Sequence, residues 1–102
     1  MNIDITAKNL ELTPSLEAYM REKLGSLGKF VQRFEEMGDV ELKATIERAT
    51  AHHNKGEVFR AAADLVLPKK NLHAEEMHAD AHTAIDAVKQ KLQQEVEHYK
   101  HD

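Results

Sequence analysis

Two consecutive stretches alternate between apolar and polar side chains, and this alternation constrains the fold more than any other feature of the chain. In "DVELKATIERA", Val40, Leu42, Ala44 and Ile46 share one side, while Glu41, Lys43, Thr45 and Glu47 take the other. In "VFRAAADLVLP", Phe59, Ala61, Ala63, Leu65 and Leu67 fall together, opposite Arg60 and Asp64. A period of two belongs to a β-strand with one buried face. The intervening "AHHNKGE" carries Asn and Gly as turn formers and reads as a polar hairpin loop. Pro68 ends the second stretch, "KKN" makes a short turn, and "LHAEEM" is a weaker strand. At the start of the chain, "MNIDITAKN" alternates as well, with Ile3 and Ile5 on the side to be buried.

A sheet that is apolar on one face needs a cover, and two segments with helical spacing supply it. Thr13 is placed to cap the first, with Pro14 at the first helical position, where a missing N–H costs nothing. Leu16, Met20, Leu24, Leu27, Val31 and Phe34 recur as its apolar stripe, widened by Tyr19 and Phe30, and the helix is expected to run to about Glu36. Gly25 and Gly28 each cost roughly 1 kcal/mol against alanine inside a helix, and Gly38 suits the exit. Asp80 is a candidate N-cap for the second helix, whose stripe is Ala81, Ile85, Val88, Leu92, Val96 and Tyr99. The expected order is β-α-β-β-β-α. This is an α+β fold, with a four-stranded sheet, both helices on one face and the other face in water. With 102 residues and no linker or repeat, residues 1–102 form one domain.

Composition narrows the function. The absence of cysteine excludes disulfides and thiolate metal sites and fits a reducing compartment. No apolar run approaches the ~20 residues that span a bilayer, and Asp4 stands where a signal peptide would be basic. A cytoplasmic protein without a membrane partner is the expectation. The net charge of −4 argues against a general nucleic-acid binder, DNA included, but it permits a local basic stripe.

Chemistry has few footholds. His73, His78 and His82 straddle a strand, a turn and a helix start. His98 and His101 are three apart on a helix, and His52 and His53 lie in a loop. Nothing in these spacings forces three or four ligands to converge, so solvated imidazoles are the simpler reading and no metal is expected. Glu75 and Glu76 point to opposite faces of a strand, Asp80 is explained by capping, and Asp86 is expected to point out of its helix. No nucleophile setting or phosphate loop occurs, so no catalytic residue, cofactor or enzyme activity is expected.

The cations on the helices are more informative. Glu22, Ser26, Lys29 and Arg33 share a face of the first helix, with Lys23 at the edge of its apolar stripe. On the second helix, His82, Lys89, Gln93 and Lys100 share one flank, and Ala87, Lys91, Gln94 and His98 the other. Apart from Glu22 these flanks are expected to be free of carboxylates. From charge alone, an ordinary solvated helix exterior is the simpler reading.

At this point the segments themselves add information. "NIDITAKNLELT", "SLEAYMREKLGSLGKF" and "LHAEEMHADAHTAIDAVKQKLQQEVEHYK" occur in this order around the strand block. Together they resemble the short form of the ribosome hibernation-promoting factor and ribosome-associated inhibitor family, over essentially the whole chain. The "AID…KL" pattern at Ala84–Leu92 after "LHAEE" is the most specific part, and "EKL" at Glu22–Leu24 with Phe30 adds to it. The resemblance implies a fold like that of double-stranded-RNA-binding domains. It also implies a ribosome hibernation factor lying in the decoding channel of the small ribosomal subunit, between head and body. There it would inhibit translation by occluding messenger RNA and the anticodon ends of transfer RNA, under stress or in stationary phase. Contacts would run from helix cations to ribosomal-RNA phosphates.

By that resemblance Lys23, Arg33 and Lys91 match basic positions of the family. Lys29, Lys89 and Lys100 join them from the helical projection, and His82 and His98 complete the expected set. The chain departs from the pattern at several positions. Ser26 and His98 stand where lysines are common, Gln94 stands where arginine is usual, and "DAH" at Asp80–His82 replaces "DMY". Weaker, more salt-sensitive binding follows, strengthened when His82 and His98 protonate. The expected protein is monomeric off the ribosome and has no C-terminal dimerisation domain. The alternative is a module of the same fold with a non-ribosomal RNA or protein partner.

Overall fold

A computed structural model of the chain describes residues 1–50 and 56–101. Most of the loop expected at "AHHNKGE", with His52 and His53, lies outside them. The strands are β1 (Asn2–Lys8), β2 (Glu41–Thr50), β3 (Glu57–Leu67) and β4 (Lys70–His78), in sheet order β1-β2-β3-β4. β1 pairs parallel to β2, while β2–β3 and β3–β4 are antiparallel. A parallel pair cannot be closed by a tight turn, so the chain between β1 and β2 must cross over, and the first helical segment is that crossover.

The alternation read from the sequence sets the register. Ile3, Leu42, Leu65 and Leu72 align across the sheet as one inward row. Ile5, Ala44, Ala63 and Ala74 form the next, and Ala7, Ile46, Ala61 and Glu76 the third. The middle row carries three alanines, whose small side chains let the covering helices lie close to the sheet. β3 and β4 are joined by the two-residue turn Pro68–Lys69, so Lys70 already belongs to a strand. Asn9 takes φ 60° as the chain leaves β1, a left-handed conformation that its short polar side chain tolerates.

α1 (Pro14–Gly25) begins as expected, with the Leu16 N–H donating to Thr13 Oγ1 at 3.1 Å. The expectation of one helix to about Glu36 is not met. α1 ends at Gly25, a 3₁₀ turn spans Ser26–Phe30, and a single turn, α2 (Gln32–Glu35), follows. Two glycines weaken the helical hydrogen-bond ladder, and the Ser26 hydroxyl donates to the Lys23 carbonyl at 2.6 Å, occupying an acceptor of the last turn. The apolar stripe survives the break, because Leu24, Leu27, Val31 and Phe34 are all buried.

α3 (Ala81–Lys100) starts where Asp80 caps it, accepting from the Thr83 N–H at 3.0 Å and the Thr83 hydroxyl at 2.7 Å. These two bonds hold the Asp80 carboxyl below the usual carboxylate range. Ala84, Ile85, Val88, Leu92 and Val96 enter one continuous core with Met20, Leu24, Leu42, Ile46 and Leu65. Among the described residues the buried set contains no polar or charged side chain. Among the described residues no helix is long and apolar enough to cross a membrane.

Candidate nucleic-acid interface

With α1 and α3 against the same sheet face, the flank of α3 that carries His82, Lys89 and Lys100 meets the first helical segment along a seam. At one end the Tyr19 and His82 rings meet edge to face, centroids 4.2 Å apart at 78°. The Tyr19 hydroxyl donates to Asp86 Oδ1 at 2.5 Å. That bond, then burial, then the charge of Asp86 push the Tyr19 phenol up to about 12. Lys23 Nζ lies 3.7 Å from the same carboxylate oxygen and 5.9 Å from the Tyr19 ring centroid.

One turn further along α3, Lys89 donates to Gln93 Oε1 at 2.7 Å, which holds its ammonium along the helix. Beyond it, two ammonium groups approach the Phe30 ring, Lys29 Nζ at 5.3 Å and Lys100 Nζ at 5.9 Å from its centroid. Arg33 closes the line. Its guanidinium sits 5.1 Å from the Phe34 ring and donates to the Lys100 carbonyl at 3.3 Å, while Phe34 stacks on Tyr99 at 5.5 Å. Lys29, Arg33 and Lys89 use an aromatic face, a backbone carbonyl or a side-chain amide as a support, which leaves their charges largely uncancelled. Lys29, Arg33 and Lys89 make no ion pair with any described residue.

The structure therefore brings Lys23, Lys29, Arg33, His82, Lys89 and Lys100 into one line and leaves Lys91 and His98 on the opposite flank of α3. Lys91 Nζ is 3.7 Å from Glu76 Oε1, the carboxylate that ends the inward row of β4. His98 borders a shallow depression shared with Lys70, Leu72, Glu95 and Tyr99. Glu75 and Glu76 do fall on opposite faces of β4, as strand geometry requires.

Two expectations about acids need correction. Asp86 does not simply point away from the molecule but turns into the seam against Tyr19 and Lys23. The flanks are not free of carboxylates apart from Glu22, because Asp86 and Glu97, the latter 3.8 Å from Lys100 Nζ, accompany the cations. The spacing already carried the first of these, since residues 82, 86, 89 and 93 follow i, i+4, i+7, i+11 along one flank.

The open face of the sheet is arranged differently. Arg60 of β3 pairs with Glu75 of β4 and lies 3.5 Å from Glu47 of β2. His73 Nδ1 is 2.7 Å from Asp64 Oδ1, and its Nε2 is 3.5 Å from Glu75 Oε2. The Asp64 bond first, then Glu75, raises the His73 imidazole above its ordinary value against the opposing effect of burial. Arg60, then His73, lowers the Glu75 carboxyl. Among the described residues no group of three or more His, Asp or Glu is arranged to hold a metal ion.

Comparison with known proteins fits this architecture. The family model described as Sigma 54 modulation protein / S30EA ribosomal protein matches residues 3–102. A protein of Lactococcus lactis subsp. cremoris named ribosome hibernation promotion factor is 31% identical over 103 residues, covering 98% of this chain and 50% of its own. One of the same name from Bacillus subtilis is 28% identical over 100 residues, covering 98% and 49%. The chain thus spans about half the length of these relatives. Among solved structures, the N-terminal domain of Thermus thermophilus Protein Y superposes with TM-score 0.71 at 29% identity, covering 97% of this chain and 99% of that one. A ribosomal subunit interface protein from Coxiella burnetii superposes with TM-score 0.79 over 100% of both chains, and at 18% identity this likeness concerns the fold alone.

Proposed function

Because this chain belongs to the Sigma 54 modulation protein / S30EA ribosomal protein family, we propose that it is a ribosome-binding factor that holds translation idle. Its reading as a hibernation factor is supported by relatives named ribosome hibernation promotion factor that match nearly the whole of this chain. The partner is the small ribosomal subunit, and the contact surface is the seam between the first helical segment and α3. The observation that carries this reading is the line of cations from Lys23 to Arg33, supported by aromatic rings and amides on a scaffold with no buried charge among the described residues.

The mechanism is occlusion. Structured RNA is recognised through its backbone and shape, so a rigid row of ammonium and guanidinium groups can hold a phosphate-lined cleft without reading bases. A folded domain fixed in the decoding channel excludes messenger RNA and the anticodon end of transfer RNA by volume, and no bond is made or broken. Lys91 and His98 would contact RNA only if the cleft also wraps the far flank of α3, which makes them a secondary surface in this reading.

The test is footprinting of small-subunit RNA with the wild type and with Lys89→Glu/Lys100→Glu. Protection of decoding-channel nucleotides that disappears in the variant is the expected result. Protection elsewhere, or co-sedimentation indifferent to the charge reversal, would sink the proposal. Capture of a protein partner at physiological salt, without ribosomal RNA, would favour the non-ribosomal alternative. Binding compared at pH 6 and pH 8 reads whether His82 and His98 contribute.

A further inference from the structure

Asp86 stands inside the cationic seam, on the same flank of α3 as His82 and Lys89, where a phosphate-binding surface gains nothing from a negative charge. Its Oδ1 takes the Tyr19 hydroxyl at 2.5 Å and faces Lys23 Nζ at 3.7 Å, and the His82 ring packs against Tyr19 beside it. A hydroxyl and an ammonium converging on one anionic oxygen is also the donor set that a non-bridging phosphate oxygen uses. We propose that Asp86 is an internal competitor of RNA phosphate, its carboxylate filling in the free protein a phosphate subsite made by Tyr19 and Lys23. This deepens the reading of the seam as an RNA contact and rests on it.

Three features support competition over a purely structural bond. The Lys23 and Asp86 side chains keep 42% and 45% of their exposure, so their ion pair is screened and weak, and a polyanion of high charge density can displace it. The Asp86 side chain lies outside the buried core, so it can swing away without opening a cavity. Tyr19 remains a donor at neutral pH whichever anion it faces, because an ordinary phenol loses its proton only at about pH 10. The carboxylate keeps Lys23 and Tyr19 satisfied until an anion that makes additional contacts along the seam replaces it.

The experiment compares wild type, Asp86→Asn, Lys23→Ala and the double variant in binding purified small ribosomal subunits and a short RNA duplex across a salt series. Asparagine keeps an oxygen that can accept from Tyr19, removes the charge and replaces the second oxygen by an NH2 donor. Asp86→Asn should bind both RNAs roughly threefold to tenfold more tightly, with a salt dependence steeper by about one phosphate contact. Lys23→Ala should cost more in the Asp86→Asn background than in the wild type. Unchanged or weaker duplex binding by Asp86→Asn, or an equal cost of Lys23→Ala in both backgrounds, would overturn the inference and leave Asp86 as an orienting group. If no variant holds small subunits yet Asp86→Asn still holds the duplex more tightly, the ribosomal reading fails and the subsite stands. If no variant holds either RNA, both fail.

Discussion

The helix-layer seam and the open face of the sheet carry the same kinds of side chain, yet they use them in opposite ways. On the sheet, strand register places Arg60 between Glu47 and Glu75, and His73 between Asp64 and Glu75, so charges cancel across neighbouring strands. Along the seam, cations from separate elements line up against rings and amides; Asp80, Asp86 and Glu97 face His82, Lys23 and Lys100, while Lys29, Arg33 and Lys89 pair with no described carboxylate. A net charge of −4 therefore says little about what either surface can bind. A sheet fixes cross-strand neighbours at about 5 Å and rewards pairing. A helix packed beside another element can present a row of like charges, because each long stem reaches its own support.

The comparison is broken most strongly by reversing charge on the seam. Lys89→Glu/Lys100→Glu is expected to weaken small-subunit binding on the order of a hundredfold at moderate salt and to flatten the salt dependence by about two contacts. Co-sedimentation over a salt series measures both. Arg60→Ala tests the other surface. With Glu47 and Glu75 left without their shared cation, unfolding in urea should show a loss of about 1 kcal/mol, while ribosome binding stays as in the wild type. A drop in binding would mean that the sheet face also touches RNA. Lys91→Ala, on the far flank of α3, should change binding less than threefold, because that flank lies over β4 beside Glu76 and away from the seam. An effect equal to that of Lys89→Ala would extend the interface around the helix.

The smallest effect concerns His73. Its folded imidazole is raised above 6.5 by Asp64 and Glu75. Its stabilising contribution is therefore complete below that ordinary value and disappears as pH rises through the raised one. Urea midpoints at pH 5.5 and pH 8 should differ less in His73→Ala than in the wild type. Glu75 runs the opposite way, since its lowered carboxyl contributes above the ordinary carboxylate range and loses that contribution as pH falls.

Much of the fold was legible because a period of two admits few solutions. Leu42, Ala44 and Ile46 face the core as their spacing implies, and Thr13 and Asp80 cap the helices they precede. The break after Gly25 was not legible from the stripe, because steps of three and four residues suit both a continuous helix and one interrupted by a 3₁₀ turn. The two glycines and Ser26 were the available signal. At the candidate site, the shared flank of His82, Lys89 and Lys100 followed from helical projection, and Asp86 would have followed from the same projection. The pairing of Lys91 with Glu76 needs the placement of α3 over β4, which one-dimensional periodicity does not contain.

The row of alanines at 44, 63 and 74 has a consequence for the surface above it. The helices stand on this row, so its height sets how far α3 lies from the sheet and how it meets α1. Ala63→Val, which adds two methyl groups to that row, is expected to overpack the core and press on the helices above it. Molecular thickness at the floor is thus a tolerance to which the spacing of charges on the roof is machined.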